Sequence, residues 1–359
     1  AGRFVTPLSF AALSGNPVLT DMFQSEESHA ISHIELGQKA DVLLVAPATA
    51  NSIAKFAHGL ADDLLSTTLL AADCPVLIAP AMNSRMYENP ITQRNIALLV
   101  GGGYSIIKPG YGKMACKSEG LGRLAEWEDA EEQILQALAE QDLQGQKILI
   151  TAGPTREPLD PARFLSNRSS GKMGYALARA AARRGADVHL ISGPTSLPAP
   201  CGVQRTDVIT AEEMYREVMQ ACTDCSVIIK AAAVSDFRPC VSAEQKVKKE
   251  NADFVLQLEQ TDDILQELGR RKEKHKYLLV GFAAESCKHR QAGEKKLKNK
   301  NLDLIAINDI SKSDTGFEAN TNQVTLLDHT GFTDLPLTSK EETANLILDR
   351  ISSRLLSNC

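Results

Sequence analysis

Closely spaced lysines, a strand-end aspartate and a glycine- and serine-rich helix start are the residues of this chain best suited to holding a polyanion. All lie in its second half. The run SNRSSGKMG (166–174) opens a helical segment at 171–184 with small and hydroxyl residues, which suits an anion at a helix N-terminus. An apolar strand at 226–230 runs into AAAVSDF (231–237), placing Asp236 at a strand end where its oxygens can hold Mg2+. Two basic runs follow, KVKK (246–249) and KKLKNK (295–300). Singly these are a helix cap, a capping aspartate and two solvated charge runs. Together they suit neutralising charge on a transferring phosphoryl or nucleotidyl group.

The first half offers different chemistry. Strand 41–46 (DVLLVA) leads into PATANS (47–52), and strand 75–79 (PVLIA) leads into PAMN (80–83). Ligands of open parallel sheets sit beyond the carboxyl ends of the strands, and small residues there let a ligand reach the backbone. His33 precedes the first strand, and a lone histidine by itself carries little weight. Cys116 sits in a Gly- and Lys-rich stretch (109–124), where Lys113 and Lys117 would favour its thiolate. Cys222 and Cys225 form a CxxC without a second pair, which reads as structural rather than as a zinc site.

The elements that must position these residues alternate. Apolar β-branched runs at 147–152, 187–192, 226–230, 277–281 and 303–307 are separated by helical-period segments, and the first half repeats the pattern. A helix over 50–71, another over 91–100 and an acidic amphipathic helix over 128–143 are expected, with a boundary at Gln144-Gly145-Gln146. Strand–helix alternation implies two α/β domains with mainly parallel sheets, 1–143 and 146–359. A length of 359 residues agrees with that division.

Composition narrows the function classes. With 43% hydrophobic and 23% charged residues the chain is globular rather than disordered. The net charge of -6 and the 5% aromatic content argue against nucleic-acid binding. No apolar run is long enough to cross a bilayer. Residues 1–145 carry 9 Lys and Arg against 17 Asp and Glu, so a polyanion belongs with the remainder. Eight scattered cysteines and no secretory signal fit a reducing cytoplasm.

Taken together, these segments resemble the bifunctional phosphopantothenoylcysteine decarboxylase/phosphopantothenate–cysteine ligases of bacterial coenzyme A biosynthesis. The resemblance spans almost the whole chain. In the first half it rests on TPLSF (6–10), HIEL (33–36), PATANS, PAMN with Met86, and Ala115-Cys116 with Glu119-Gly120 and Gly122-Arg123. In the second it rests on ITAGPTREPLDP, SNRSSGKMG, AAAVSDF, KVKK, GFAAE (281–285) and KNLDLIAIND (300–309).

The resemblance implies a flavodoxin-like FMN domain followed by a Rossmann-like ligase domain that uses CTP. The ligase would join 4′-phosphopantothenate to L-cysteine through an acyl-cytidylate. It would hold the nucleotide with Lys230, Ala231, Ala232, Asp236, Lys246, Phe282, Lys296 and Lys300, with Mg2+ on Asp236. Asn167 is similar to the family residue that processes the acyl intermediate, and Lys246 to the lysine needed to form it. The decarboxylase would cradle FMN with Pro47, Ala48, Thr49, Ala50, Asn51 and Ser52. Cys116 would be its acid, His33 its active-site histidine and Asn83 the partner of the substrate carboxylate. A trimeric decarboxylase with dimeric ligase contacts is also implied.

The family's flavin domain opens with a strand, a glycine turn and a helix that contact the FMN phosphate, and none of these precedes Ala1. Weak or absent flavin binding is therefore expected of this chain, which also lacks an initiator Met. Two other classes compete. A nicotinamide oxidoreductase would need the GxGxxG and ribose-binding acid that are missing. A flavin- or nucleotide-binding regulator would not need the acid Cys116.

Overall fold

The computed structural model describes residues 5–22, 32–113, 119–247, 255–285, 289–309 and 321–357. The chain divides into two compact units, Ala1–Ala139 and Glu140–Cys359.

The first unit holds, in chain order, α1 (Pro7–Ser14), α2 (Ser32–Lys39), β1 (Leu43–Ala48), α3 (Ala50–Ala57), α4 (Leu64–Leu70), β2 (Val76–Pro80), α5 (Pro90–Gly101), β3 (Ser105–Ile106) and α6 (Trp127–Leu138). The three strands form a parallel sheet in the order β1-β2-β3. Every residue of the central strand β2 is buried, which explains its unbroken apolar sequence. Val45, Ile53, Leu69, Ile78 and Leu99 pack together, while Leu77, Ala79, Ile107 and Ala130 form a second cluster.

The expected 50–71 helix is two helices. Gly59 adopts φ 65°, which ends α3, and an Asp63–Ser66 capping box restarts the chain as α4. The irregular 109–124 stretch contains an antiparallel pair, Gly110–Lys113 with Glu119–Arg123. The expected 128–143 helix ends at Leu138. Leu143 joins the second unit's core and donates its amide to Arg184 O at 3.1 Å.

The second unit contains β4 (Lys147–Ala152), α7 (Lys172–Arg183), β5 (Asp187–Ser192), β6 (Gln204–Asp207), α8 (Ala211–Ala221), β7 (Val227–Lys230), α9 (Ile264–Arg271), β8 (Leu278–Glu285), α10 (His289–Asn299), β9 (Leu304–Asp309), β10 (Val324–Asp328), β11 (Gly331–Asp334) and α11 (Lys340–Ser357). Its eight-stranded sheet runs β6-β5-β4-β7-β8-β9-β10-β11, with β10 antiparallel to both of its neighbours and the other strands parallel to one another. The chain leaves β4 toward β5 and β6, then returns to β7 on the other side, so the strand order reverses between β4 and β7.

Alternation along the strands serves two cores. Ile148, Ile150, Val227 and Ile229 face α7 and α11, with Leu177, Ile347 and Leu348. Leu149, Ile191 and Ile228 face α8 and α9, with Met214, Val218 and Leu268. Apolar layers on both faces explain why the strands read as continuous hydrophobic runs. Residues 153–170, expected as a loop, include a hairpin of Arg156–Asp160 with Arg163–Ser166.

Candidate functional site

At the reversal between β4 and β7 the sheet opens into a cavity of about 780 Å³. Crevices of this kind form because the connections on either side of the switch point diverge. Here Ser169–Gly174 line one wall, Lys230–Val234 and Asp236 another, and Phe282 with Lys296 and Lys300 a third. The α7 end is narrow by construction. A Cβ added at Gly174 would lie 2.5 Å from Ala152 Cβ, so glycine is what lets α7 rest on β4. Gly171, at φ 77°, makes the turn into that helix.

The loop after β7 is clamped. Ala233 donates its amide to Gly153 O at 2.9 Å, and Ser235 donates its amide to Thr155 Oγ1 at 3.0 Å. Asn167 Nδ2 donates to Ala233 O and Val234 O, both at 3.2 Å, tying the serine-rich segment to the same loop.

The lysines differ in their surroundings. Lys296 Nζ donates to Phe282 O at 3.0 Å. Lys300 pairs with Asp263, the N-cap of α9, whose Oδ1 accepts the Gln266 amide at 3.0 Å. Burial opposes ionisation of Asp263, but Lys300 and that amide hold its pKa below the ordinary carboxylate value. Lys230 is only 9% exposed. Burial, then the charge of Lys296, push its pKa down to about 7. Lys340 at the start of α11 is buried too, and burial with the nearby charge of Lys172 brings it to about 8.

Of the expected nucleotide residues, the cavity therefore gathers Lys230, Ala231, Ala232, Asp236, Phe282, Lys296 and Lys300. Lys246 is exposed and outside the lining, although Val247 beside it is held by Asp160 Oδ2 at 3.3 Å and Arg163 Nη2 at 3.1 Å. Asn167 borders the cavity through its two carbonyl partners without lining it. Lys172, Lys340, Asp263 and Asn322 line it and were not expected. Among the described residues no cluster of three or more His, Cys, Asp or Glu side chains is arranged to hold a metal. Asp236 alone suits a cation that takes its other ligands from phosphate oxygens and water.

In the first unit, the ends of β1 and β2 lie side by side, with Ala48 opposite Pro80. Pro47, Thr49 and Asn51 are exposed, Ala50 and Ser52 half-buried, and Ala48 buried. Thr49 caps α3, its Oγ1 accepting the Ser52 amide at 3.2 Å. Ala81 donates its amide to Ala48 O at 2.9 Å, which brings PATANS and PAMN to one edge. Asn83 Oδ1 accepts the Arg85 amide at 2.9 Å, and Met82 donates its amide to Gly122 O at 2.9 Å. His33 lies on α2, which packs against α4, and its buried Nδ1 has no hydrogen-bond partner among the described residues. Exposed backbone, hydroxyl and amide groups at paired strand ends fit a flavin. Cys116 lies outside the described residues.

No helix among the described residues is long and apolar enough to cross a membrane. The family described as DNA/pantothenate metabolism flavoprotein C-terminal domain matches residues 143–355, and the family described as flavoprotein matches residues 1–139. A coenzyme A biosynthesis bifunctional protein CoaBC from Bacillus subtilis is 47% identical, covering 98% of this chain and 88% of that one. A cysteine/cysteine sulfinic acid decarboxylase from an unknown prokaryotic organism is 44% identical over 97% of this chain and 98% of that one. The crystal structure of a CoaBC C-terminal domain superposes with TM-score 0.52 at 42% identity, covering 61% of this chain and 100% of that one. The chain belongs to the family of bifunctional coenzyme A biosynthesis enzymes, with a flavoprotein domain followed by a pantothenate-metabolism domain.

Proposed function

We propose that the second unit activates the carboxylate of 4′-phosphopantothenate with CTP and passes the acyl group to the amine of L-cysteine, and that the first unit decarboxylates the product. The observation that carries the ligase half is the lysine-lined cavity at the switch point, which suits a triphosphate. The carboxylate attacks the α-phosphate, pyrophosphate leaves, and the cysteine amine then displaces CMP. Lys296 and Lys300 offset the phosphate charge, and Asp236 would hold Mg2+, which would supply further charge neutralisation. Phe282 and the Ala231–Ala232 backbone flank the nucleoside. Lys246 supports acyl-cytidylate formation, and Asn167 supports its conversion to amide.

In the decarboxylase half, Pro47–Ser52 would hold FMN. When bound, FMN supplies the electron sink that a carboxylate on a saturated carbon lacks. Asn83 binds the substrate carboxylate, His33 orients the substrate and Cys116 returns a proton. A second reading, decarboxylation of free cysteine, is favoured by the similar relative of that name. Free cysteine has no phosphate, so it leaves the basic cavity of the second unit without a ligand.

The ligase half is tested by pyrophosphate release from the full chain with 4′-phosphopantothenate, cysteine, Mg2+ and either CTP or ATP. Release with CTP is expected, and its loss in Lys246→Gln. No release with CTP sinks the reading, and preference for ATP reassigns the nucleotide.

A further inference from the structure

Lys230 is the last residue of the central strand β7, in a position where a hydrophobic side chain would continue the core. Alternation from Ile229, which faces α7, turns Lys230 to the face that carries α9 and α10. Its side chain enters the cavity nine-tenths buried. The charged groups that act on it are Lys296 from α10, Lys300 just past the end of that helix, Asp263 from the α9 N-cap and Asp236 from its own loop. The first three have partners already. Lys296 donates to the Phe282 carbonyl, and Lys300 and Asp263 are paired with each other. Asp236 is exposed and makes no ion pair with Lys230 among the described residues. Lys230 thus stands desolvated beside two cations, with no ion pair of its own among the described residues.

We infer that polyphosphate binding in this cavity carries one proton with it, taken from solvent by the amine of Lys230, which then serves as a charged anchor. The inference rests on the nucleotide reading of the site. The physics is a reversal of field. In the ligand-free cavity burial and two lysines oppose the ammonium, and its pKa of about 7 leaves the amine mostly neutral at pH 8. A polyphosphate brings several negative charges to the same spot and favours the ammonium. The uptake balances as amine plus proton giving ammonium, with buffer as the donor. Lys296 and Lys300, already held by partners, supply fixed charge instead. Lys340, brought to about 8 at the Lys172 side, titrates in a similar range, so the test must separate the two.

Calorimetric titration of the full chain at pH 8, with Mg2+ and CTP or with inorganic pyrophosphate, in buffers of low and high ionisation enthalpy, counts the protons. Uptake approaching one per CTP is expected at pH 8 and little at pH 6. Affinity should fall by up to about tenfold per pH unit above 7. Lys230→Arg, always charged, should bind without that proton, and Lys230→Met should bind more weakly, also without it. No uptake in the unaltered chain, or uptake unchanged in both variants, overturns the inference while leaving the nucleotide reading standing. Failure of CTP and pyrophosphate alike to bind overturns both. The unaltered chain alone decides the first point, whether or not the variants fold.

Discussion

A lysine buried at the end of a central strand works against the fold, and the direction of its cost with pH follows from its titration. Burial pushes the Lys230 pKa down to about 7 in the native chain, against the ordinary lysine value of 10.5 when unfolded. Between those values the unfolded chain binds more protons, so this residue makes stability rise with pH across the window, by up to about 1.4 kcal/mol per unit. Below pH 7 the full cost of the buried charge is present. Lys230→Met should therefore raise Tm most at or below pH 7, with the gain shrinking toward pH 10. A gain that does not vary with pH would contradict the account. Asn167→Asp removes both donations to Ala233 O and Val234 O and sets a carboxylate against two carbonyls. Amide formation should drop by at least about tenfold while pyrophosphate release persists. Normal amide yield would contradict that. A strand-end position marked Asp236 and a basic run marked Lys296 and Lys300 in the sequence, whereas Lys230 entered only with the family resemblance. Lys340 was not legible, since nothing in a Ser-Lys dipeptide shows that its helix returns to pack on α7 and brings the lysine into the cavity.

Helices and strands were legible where burial is simplest. Strands covered on both faces read as apolar runs, and β4 and β5 lie where that pattern places them. The hairpin within 156–166 was hidden, because Pro158 and Pro161 interrupt any alternation and it pairs only with itself. The break between α3 and α4 lies in local turn chemistry at Gly59 and Asp63, which helical composition alone overlooks. The contact most exposed to test is α7 on β4. Gly174→Ala would put a methyl group 2.5 Å from Ala152 Cβ and 3.1 Å from Thr151 O, both in buried residues of β4. The helix must shift, at a cost of about 1–3 kcal/mol. Because α7 also forms a cavity wall, CTP binding should weaken along with Tm. An unchanged Tm and CTP affinity in Gly174→Ala would show that the approach is looser than described.

At the scale of the molecule, two units with separate cores carry two kinds of edge. One is a small-residue edge at paired strand ends, and the other is a basic cavity at a strand-order reversal. The division of charge in the sequence follows from this, because the lysines that suit a triphosphate lie in the second unit. Family membership joins a flavoprotein domain to a pantothenate-metabolism domain. The central claim is that the two act in order, ligation before decarboxylation. The direct measurement uses cysteine labelled at its carboxyl carbon, with the full chain, Mg2+ and added FMN, and follows labelled CO2 and pyrophosphate together. The account predicts labelled CO2 only when 4′-phosphopantothenate and CTP are both present, and never in excess of pyrophosphate. Labelled CO2 from cysteine alone, with neither of them added, would contradict it.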